Sequence, residues 1–369
     1  MSLTLWLMEG LSSQRDIISS IKTFWEKSFC NKTFINKTSK SLTLIASHRN
    51  QRNEILSLAD IALIEPREDA QRFQFIVDTV EEYGVNAIHA GRNPQWFESH
   101  RAAIEALGVS LTTGATDANS FELADDKVEF AAYMQQHALP VVASVQINSA
   151  DQLRDEIAQN RQLPQPARLC VKPVTGIYGM GFWRFDDSAN PMAAFTHPDN
   201  RKVHPDLYLH ALAQQGEFAP LVLMPYLPGP EYSVDMLVSK GKVLAAVARR
   251  KEGSLQYLEQ SGEAYQLALR CAEVMQGDGL INVQTRHNDD GVPVLLEINM
   301  RPSGGIGYTR HSGVNLPGLF ALFTLGVLSA AEVTEIAKNS FSPAVVRPLT
   351  EAVLYSATLE NSPSNKVNA

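Results

Sequence analysis

Residues 281–301 read INVQTRHNDDGVPVLLEINMR, and few folds can accept such a segment. Asp290-Gly291 is a strong signal for a two-residue hairpin turn, because both central positions of that turn need positive φ. With that turn, Asp289 faces Val292, Gln284 faces Glu297 and Asn282 faces Asn299. Side chains alternate along a strand, so Asn282, Gln284, Glu297 and Asn299 are expected on one face. Ile281, Val283, Val294, Leu296 and Ile298 are expected on the other. The chain must supply an apolar layer under one side of the hairpin and a use for clustered oxygens on the other. A longer loop would slip this register.

A buried carboxylate is costly unless something pairs with it. Magnesium is held by one or two carboxylates together with substrate phosphates. Glu297 and Asn299, two apart on one strand, can hold such a cation against phosphate oxygens. Arg301 continues the same face, where a guanidinium can offset charge on a phosphoryl group or grip a carboxylate. The competing reading is an amphipathic hairpin facing solvent. A second candidate is VKPVTGIYGMG at 171–181, a glycine-rich turn that follows one strand and leads into another. The dinucleotide fingerprint and the P-loop both open a helix instead, and neither pattern occurs in this chain. Lys172, just before the turn, is placed to reach phosphate oxygens as a point charge. A plain tight turn is the alternative. Cys170 is assigned to the opposite face from Lys172, in the core.

Through the first 115 residues, apolar runs at 3–8, 42–46, 61–64, 86–90 and 109–111 alternate with helical patterns at 13–27, 69–83 and 95–107. That alternation predicts an open, largely parallel α/β sheet. Ligands of such sheets gather at the carboxyl ends of the strands, which picks out Glu9, His48, Arg49, His89 and Arg92 against a reading as polar loop residues. From about 116 the pattern changes. A helix opens at Asp125-Asp126-Lys127 and runs to about 137. Strands are expected at 139–145, 168–172, 181–185, 221–224, 231–238 and 242–249, with helices at 149–159, 205–215 and 261–276. The longest uncharged stretch, 311–331, contains Asn315 and Pro317 and reads as a loop followed by a buried helix, not a membrane span. The net charge of −8 argues against a broad nucleic-acid footprint, and 44% hydrophobic residues exclude wholesale disorder. Three cysteines without a CxxC pair exclude a disulfide framework and a thiolate zinc site. A cytoplasmic location without a membrane partner is expected.

Four motifs then stand in order: Asp126-Lys127; Val171-Lys172-Pro173 with its glycine loop; LVLMPYLPGPEYSVD at 221–235; and INVQ…LLEINMRPSGG at 281–305. Together they resemble the ATP-grasp superfamily, most closely its carbamoyl phosphate synthetase-like branch, with one unit where the large synthetase carries two. The resemblance covers about 120–330. It implies a Rossmann-like pre-ATP-grasp domain at 1–115 and a lid subdomain with its connecting helix at 116–225. A core subdomain with the metal site at 226–357 and a disordered tail at 358–369 complete the division.

By the same resemblance, Lys127 and Lys172 match the lysines on the ATP phosphates, and Gly176, Gly179 and Gly181 match a phosphate flap. Tyr226 and Leu227 match the adenine hinge, and Glu231 the ribose ligand. Gln284, Glu297 and Asn299 match the magnesium ligands, with manganese an allowed substitute, and Arg301 the active-site arginine. Met224 departs from the acidic residue common at its position. The implied activity is ATP-dependent activation of a carboxylate as an acyl phosphate for attack by an amine or another nucleophile, with small-molecule substrates, no nucleic acid, and a homodimer allowed. Two alternatives stay open, an activator of bicarbonate and a regulator that binds ATP without chemistry.

Overall fold

A computed structural model of the chain describes residues 2–10, 13–30, 41–176 and 179–353. The first sheet contains β1 (Leu3–Met8), β2 (Leu42–His48), β3 (Ile61–Ile64), β4 (Ala87–Ala90) and β5 (Ser110–Thr112), all parallel in the order β3-β2-β1-β4-β5. All six residues of β1 are buried, as a strand covered on both faces requires. Leu5 and Leu7 pack towards Ile17, Ile18 and Ile21 of the helix Ser13–Cys30, while Trp6 and Met8 pack towards Ile76, Val80 and Phe97. The strand order reverses between β1 and β4, which makes that crevice the switch point of the sheet.

β6 (Gly114–Ala115) leads out of this region and pairs with the third sheet. The second sheet holds β7 (Val145–Ile147), β8 (Leu169–Pro173), β9 (Trp183–Phe185), β10 (Lys202–Val203) and β11 (Leu221–Pro225), in the order β10-β9-β8-β11-β7. The helices Ala150–Arg161 and Pro205–Gln215 close its apolar face through Leu153, Ile157 and Leu212. The third sheet is antiparallel, with β12 (Glu231–Ser239), β13 (Lys242–Glu252), β14 (Leu255–Glu259), β15 (Gly277–His287), β16 (Pro293–Asn299) and β17 (Ala344–Val346). Its order is β16-β15-β12-β13-β14-β17. The fold is therefore α/β at the start, as the patterning predicts, and α+β beyond it, as the resemblance to a fold of two α+β subdomains implies.

The third sheet has two unlike faces. Val234, Met236, Ala246, Ile281 and Val283 lie under the helix Glu263–Val274. On the other face, Leu237, Ala245, Val247 and Leu280 share one core with Leu5, Leu7 and the helix Leu316–Thr324. That core joins the first sheet to the third. The rest of that face is polar and forms the floor of the site.

Three expectations need correction. The strand expected at 139–145 is only β7, with a lone bridge from Val141 to Leu295; Pro140 has no N–H to give a ladder. The helix expected at 95–107 breaks at His100 into Pro94–Ser99 and Arg101–Glu105. There the imidazole Nδ1 of His100 lies 2.8 Å from the Trp96 carbonyl, a local bond that competes with helical continuation. β14 and β17 were not anticipated. By contrast, the stretch 311–331 contains the buried helix Leu316–Thr324, with Asn315 capping Gly318 N at 2.9 Å and Pro317 in its first turn. No helix of the described residues is long and apolar enough to cross a membrane. The tail expected to be disordered, 358–369, lies outside the described residues.

Candidate active site

Between the second and third sheets lies a cleft of about 560 Å³. Its floor is built in rows, because directly paired residues of neighbouring strands share a face. Arg249, Ser233, Gln284 and Glu297 form one row across β13, β12, β15 and β16. Asp235, Asn282 and Asn299 form the next. Lys251, Glu231 and Arg286 form the row on the other side. Gln284, Glu297, Asn299 and Arg301 all line the cleft.

The hairpin reaches this register by a different route from the one expected. Asn288, not Asp289, faces Val292, with Asn288 N donating to Val292 O at 2.9 Å, so the loop has three residues. That longer loop slips the register by one from His287 to Thr285. A β-bulge between Gln284 and Thr285 then absorbs one residue of β16 and restores the expected pairs. Leu295 therefore turns into the core at 0% exposure, and Leu296 lines the cleft instead of joining the core.

Glu297 is the one carboxylate among the three proposed metal ligands, and Asn299 Nδ2 approaches its Oε1 at 3.4 Å. Lys172 Nζ is 3.6 Å from the other oxygen of Glu297. Lys127, at the first position of the helix Lys127–Gln136, donates to the Val174 carbonyl at 2.7 Å. Asp126 caps that helix through Val128 N and Glu129 N. Burial lowers the Lys127 ammonium pKa first, and the neighbouring Lys172 charge lowers it further. Two ammonium groups and one carboxylate thus leave this end of the cleft with a positive excess. Asn282 Oδ1 is buried without a hydrogen-bond partner beside Asn299 on the cleft floor. An orphaned oxygen next to a carboxylate and two amides is a donor set that suits a hard divalent cation. Among the described residues no cluster of three His, Cys, Asp or Glu offers a rival metal site.

At the far end of the cleft, Tyr226 is ringed by Arg184, Arg286 and Arg168 at 4.6, 5.4 and 5.9 Å from its centroid. Tyr226 N donates to Arg168 O at 2.6 Å, so that amide is already committed. Glu231 is paired with Lys251, and Arg286 lies 3.8 Å from it. Met224 is buried, and its carbonyl receives the Cys170 thiol at 3.6 Å. Cys170 stands two residues from Lys172, so the two share a face, and both line the cleft; the expectation of opposite faces was wrong by the period of the strand. Burial pushes its thiol pKa up to about 12, so it is an inert wall. Gly176 and Gly179 line the cleft and Gly181 packs on Pro173; residues 177 and 178 of that loop lie outside the described residues.

Of the five polar candidates in the first region, only His89 comes near this site. It lines a small cavity at the switch point together with Arg301 and Pro302. Its ring is buried against Phe320 and 3.1 Å from Thr112 Oγ1, and burial lowers its pKa to about 4. Glu9 instead pairs with Arg49 at 3.2 Å, and Arg49 also reaches Asp69 at 2.8 Å. His48 Nδ1 receives Asn50 N, and Arg92 is absent from both cavities. The sequence reading missed Ser233, Asp235 and Arg249. Alternation along EYSVD at 231–235 already puts Glu231, Ser233 and Asp235 on one face, which is the signal that could have found them.

Residues 217–351 match a family model described as ATP-grasp in the biosynthetic pathway with Ter operon. No curated protein matches the chain. Among solved structures, the ADP complex of PurK, an N5-carboxyaminoimidazole ribonucleotide synthetase, aligns with a TM-score of 0.63 at 15% identity, over 93% of this chain and 81% of that one. An L-amino acid ligase from Bacillus licheniformis aligns with a TM-score of 0.56 at 16% identity, over 90% and 76%. A biotin carboxylase–βγ-ATP complex from Campylobacter jejuni gives 0.58 at 13%, over 89% and 72%. Residues 217–351 thus match an ATP-grasp family model, and the chain as a whole shares the fold of solved structures that include PurK and biotin carboxylase.

Proposed function

We propose that the chain is an ATP-dependent ligase that activates a carboxylate as an acyl phosphate for attack by an amine or another nucleophile. The observation that carries this reading is the shared wall of Gln284, Glu297, Asn299 and Arg301, with Lys172 3.6 Å from Glu297. Lys127 and Lys172 bind the phosphates of ATP in this reading. The Tyr226 carbonyl and the Leu227 amide meet adenine, since the Tyr226 amide is spent on Arg168. Glu231, held from two sides by Lys251 and Arg286, accepts from the ribose hydroxyls. Gln284, Glu297 and Asn299 hold magnesium, which when bound supplies Lewis-acid polarisation of the terminal phosphates.

A carboxylate oxygen of the substrate bonds to the γ-phosphorus, and the bond to the β,γ-bridging oxygen breaks, releasing ADP. The nucleophile then adds to the acyl carbon and phosphate leaves. Arg301 and Lys172 offset the charge spread over the phosphoryl oxygens and fix their orientation. No covalent nucleophile on the protein is required. The relatives act on a ribonucleotide and on amino acids by their names, which supports the reaction class and leaves the acid open.

The test is ADP release from magnesium-ATP, screened across pooled acids and amines, with hydroxylamine added to trap acyl phosphate as a hydroxamate. A hydroxamate that requires both ATP and one acid supports the ligase. Tight magnesium-ATP binding with no hydroxamate from any acid pool favours the regulator.

A further inference from the structure

Beside the proposed metal ligands, on the same face of the third sheet, lies an ion pair that no step above uses. Asp235 is 0% exposed and Arg249 3% exposed, and Arg249 Nε donates to Asp235 Oδ2 at 2.7 Å. Neither side chain lines the cleft. A buried pair of this kind is weak evidence for stability, because desolvation offsets most of its attraction and an apolar replacement often does as well. Its value must be sought in what else the two groups hold.

One arm reaches the loop after Arg301. Arg249 Nη2 donates to Ser303 Oγ at 2.7 Å, and that oxygen also accepts from Gly305 N at 3.1 Å. A Cβ on Gly305 would lie 2.5 Å from Arg249 Nη1, so a side chain there would lift the loop off the guanidinium. Gln256 anchors Arg249 from the far side at 2.7 Å. The other arm reaches the metal face. Asp235 Oδ1 accepts from Asn282 Nδ2 at 2.9 Å, and Ser233 Oγ bonds both Asn282 Nδ2 at 3.0 Å and Arg249 Nη2 at 2.8 Å. An ionised carboxylate only accepts. Asp235 therefore fixes which end of the Asn282 amide faces it, and leaves Oδ1 as the unpartnered oxygen beside Asn299.

We propose that the Asp235–Arg249 pair is a positioning device that sets the Asn282 amide and the loop 302–305 together, so that the metal face and the flank of Arg301 keep one arrangement. The metal arm rests on the reading of the cleft as a magnesium-nucleotide site. The loop arm does not. Asp235 and Arg249 are positioning residues, because they act through Asn282 and Ser303.

The test uses the full chain and two readouts: hydrogen exchange of 302–312, and the magnesium concentration that half-saturates binding of AMP-PNP. Ser303→Ala cuts the loop arm alone. It should raise exchange of 302–312 about ten-fold and leave the magnesium midpoint within two-fold. Asp235→Asn lets the Asn282 amide turn over and should raise the magnesium midpoint at least about ten-fold, as loss of an outer partner of a metal ligand does. Asn282→Ala serves the same arm without disturbing the charge pair, should Asp235→Asn fail to fold. Arg249→Lys keeps the charge, loses the fork and should move both readouts. Unchanged readouts in folded Ser303→Ala and Asn282→Ala would overturn the proposal. So would equal movement of both readouts in every variant, which is the signature of general loosening. A wild type whose AMP-PNP binding ignores magnesium would remove the nucleotide-site reading instead, and the exchange data would still judge the loop arm.

Discussion

Glu297→Gln should have opposite effects on the binding of magnesium-ATP and of metal-free ATP. Glu297 is the sole carboxylate of the three proposed ligands, and its side chain is 27% exposed beside Lys172. A glutamine keeps its volume and removes its charge. At 100-fold excess over the dissociation constant, magnesium-ATP stabilises the wild type by about 2.7 kcal/mol, which is roughly 3.5 °C for a chain of this size. Losing an outer partner of a metal ligand costs 10–100-fold, so losing the ligand itself should cost on the order of 10². The same nucleotide concentration then contributes only about 0.4 kcal/mol, less than 1 °C. Free ATP should behave oppositely. Glu297 repels the phosphates, and after solvent screening that repulsion is about 1 kcal/mol, so metal-free ATP should bind the variant roughly five-fold tighter. Lys127 also loses one of the three carboxylates that raise its pKa, Asp125 and Asp126 being the others, which trims this gain. Calorimetric titrations with and without magnesium, and melting curves in both conditions, read all of these terms. A folded Glu297→Gln protein with the wild-type magnesium response would refute the metal assignment.

Arg301→Ala should keep ATP affinity within a few-fold but slow single-turnover acyl phosphate formation by on the order of 10², measured by quenched flow once an acid is found; an unchanged rate removes Arg301 from the chemistry. Gly114→Ala should destabilise the fold by about 3 kcal/mol or more in urea, because φ is +114° there and a Cβ would fall on the Met300 carbonyl. Met300 lies between Asn299 and Arg301, so nucleotide binding should weaken in the same variant even well below its midpoint. His89 has a folded pKa of about 4, lowered by burial from 6.5. Its contribution to stability is complete above about pH 6.5 and is lost as pH falls towards 4, because the unfolded chain then binds the extra proton. Denaturation midpoints of wild type and His89→Gln across pH 4–7 should therefore differ in slope, the variant being flatter; parallel curves would contradict a buried neutral imidazole.

What could be read in advance follows from where the physics is local. The helices at 69–83 and 205–215 appear with the expected bounds, Asp69–Tyr83 and Pro205–Gln215, because each end is marked in the sequence. Gly84 takes the left-handed cap at φ +60° and Pro205 sits in a first turn. β17 carries no such mark. It pairs with β14 at the edge of the third sheet, some 85 residues from it along the chain, a pairing that local pattern does not encode. β14 does follow β13 through a tight turn at Gly253, a local signal that the sequence reading passed over. Asp235 and Arg249 meet across the β12–β13 hairpin, whose strands and turn at 239–241 are local features. What local pattern hides is their link to Asn282 and Ser303, 47 and 54 residues away.

The hairpin shows how a site can be read correctly through two compensating departures. A two-residue turn at Asp290-Gly291 would have paired Gln284 with Glu297 all the way from the tip. The structure closes on a three-residue loop, and a bulge beyond it shifts the register back by one. The pairs around Asn282, Gln284, Glu297 and Asn299 come out as expected, while every pair nearer the tip differs. What forces the return is the core. A one-residue slip carried through to Asn299 would have turned Ile298 outward and Glu297 into the apolar layer beneath the helix Glu263–Val274. Burying that carboxylate unpaired costs far more than one unpaired residue in an edge strand. The bulge is thus placed between a tip, whose geometry the loop residues set, and a floor, whose register the core sets. Leu296 takes up the difference by moving from the core to the cleft wall. Deleting Leu296 should accordingly leave the pairing of Gln284 with Glu297 in place, because the register of Thr285–Leu295 then runs straight into it. Magnesium-dependent AMP-PNP binding decides it, and its loss in a folded deletion variant would show that the bulge itself, not the core, holds Gln284 against Glu297.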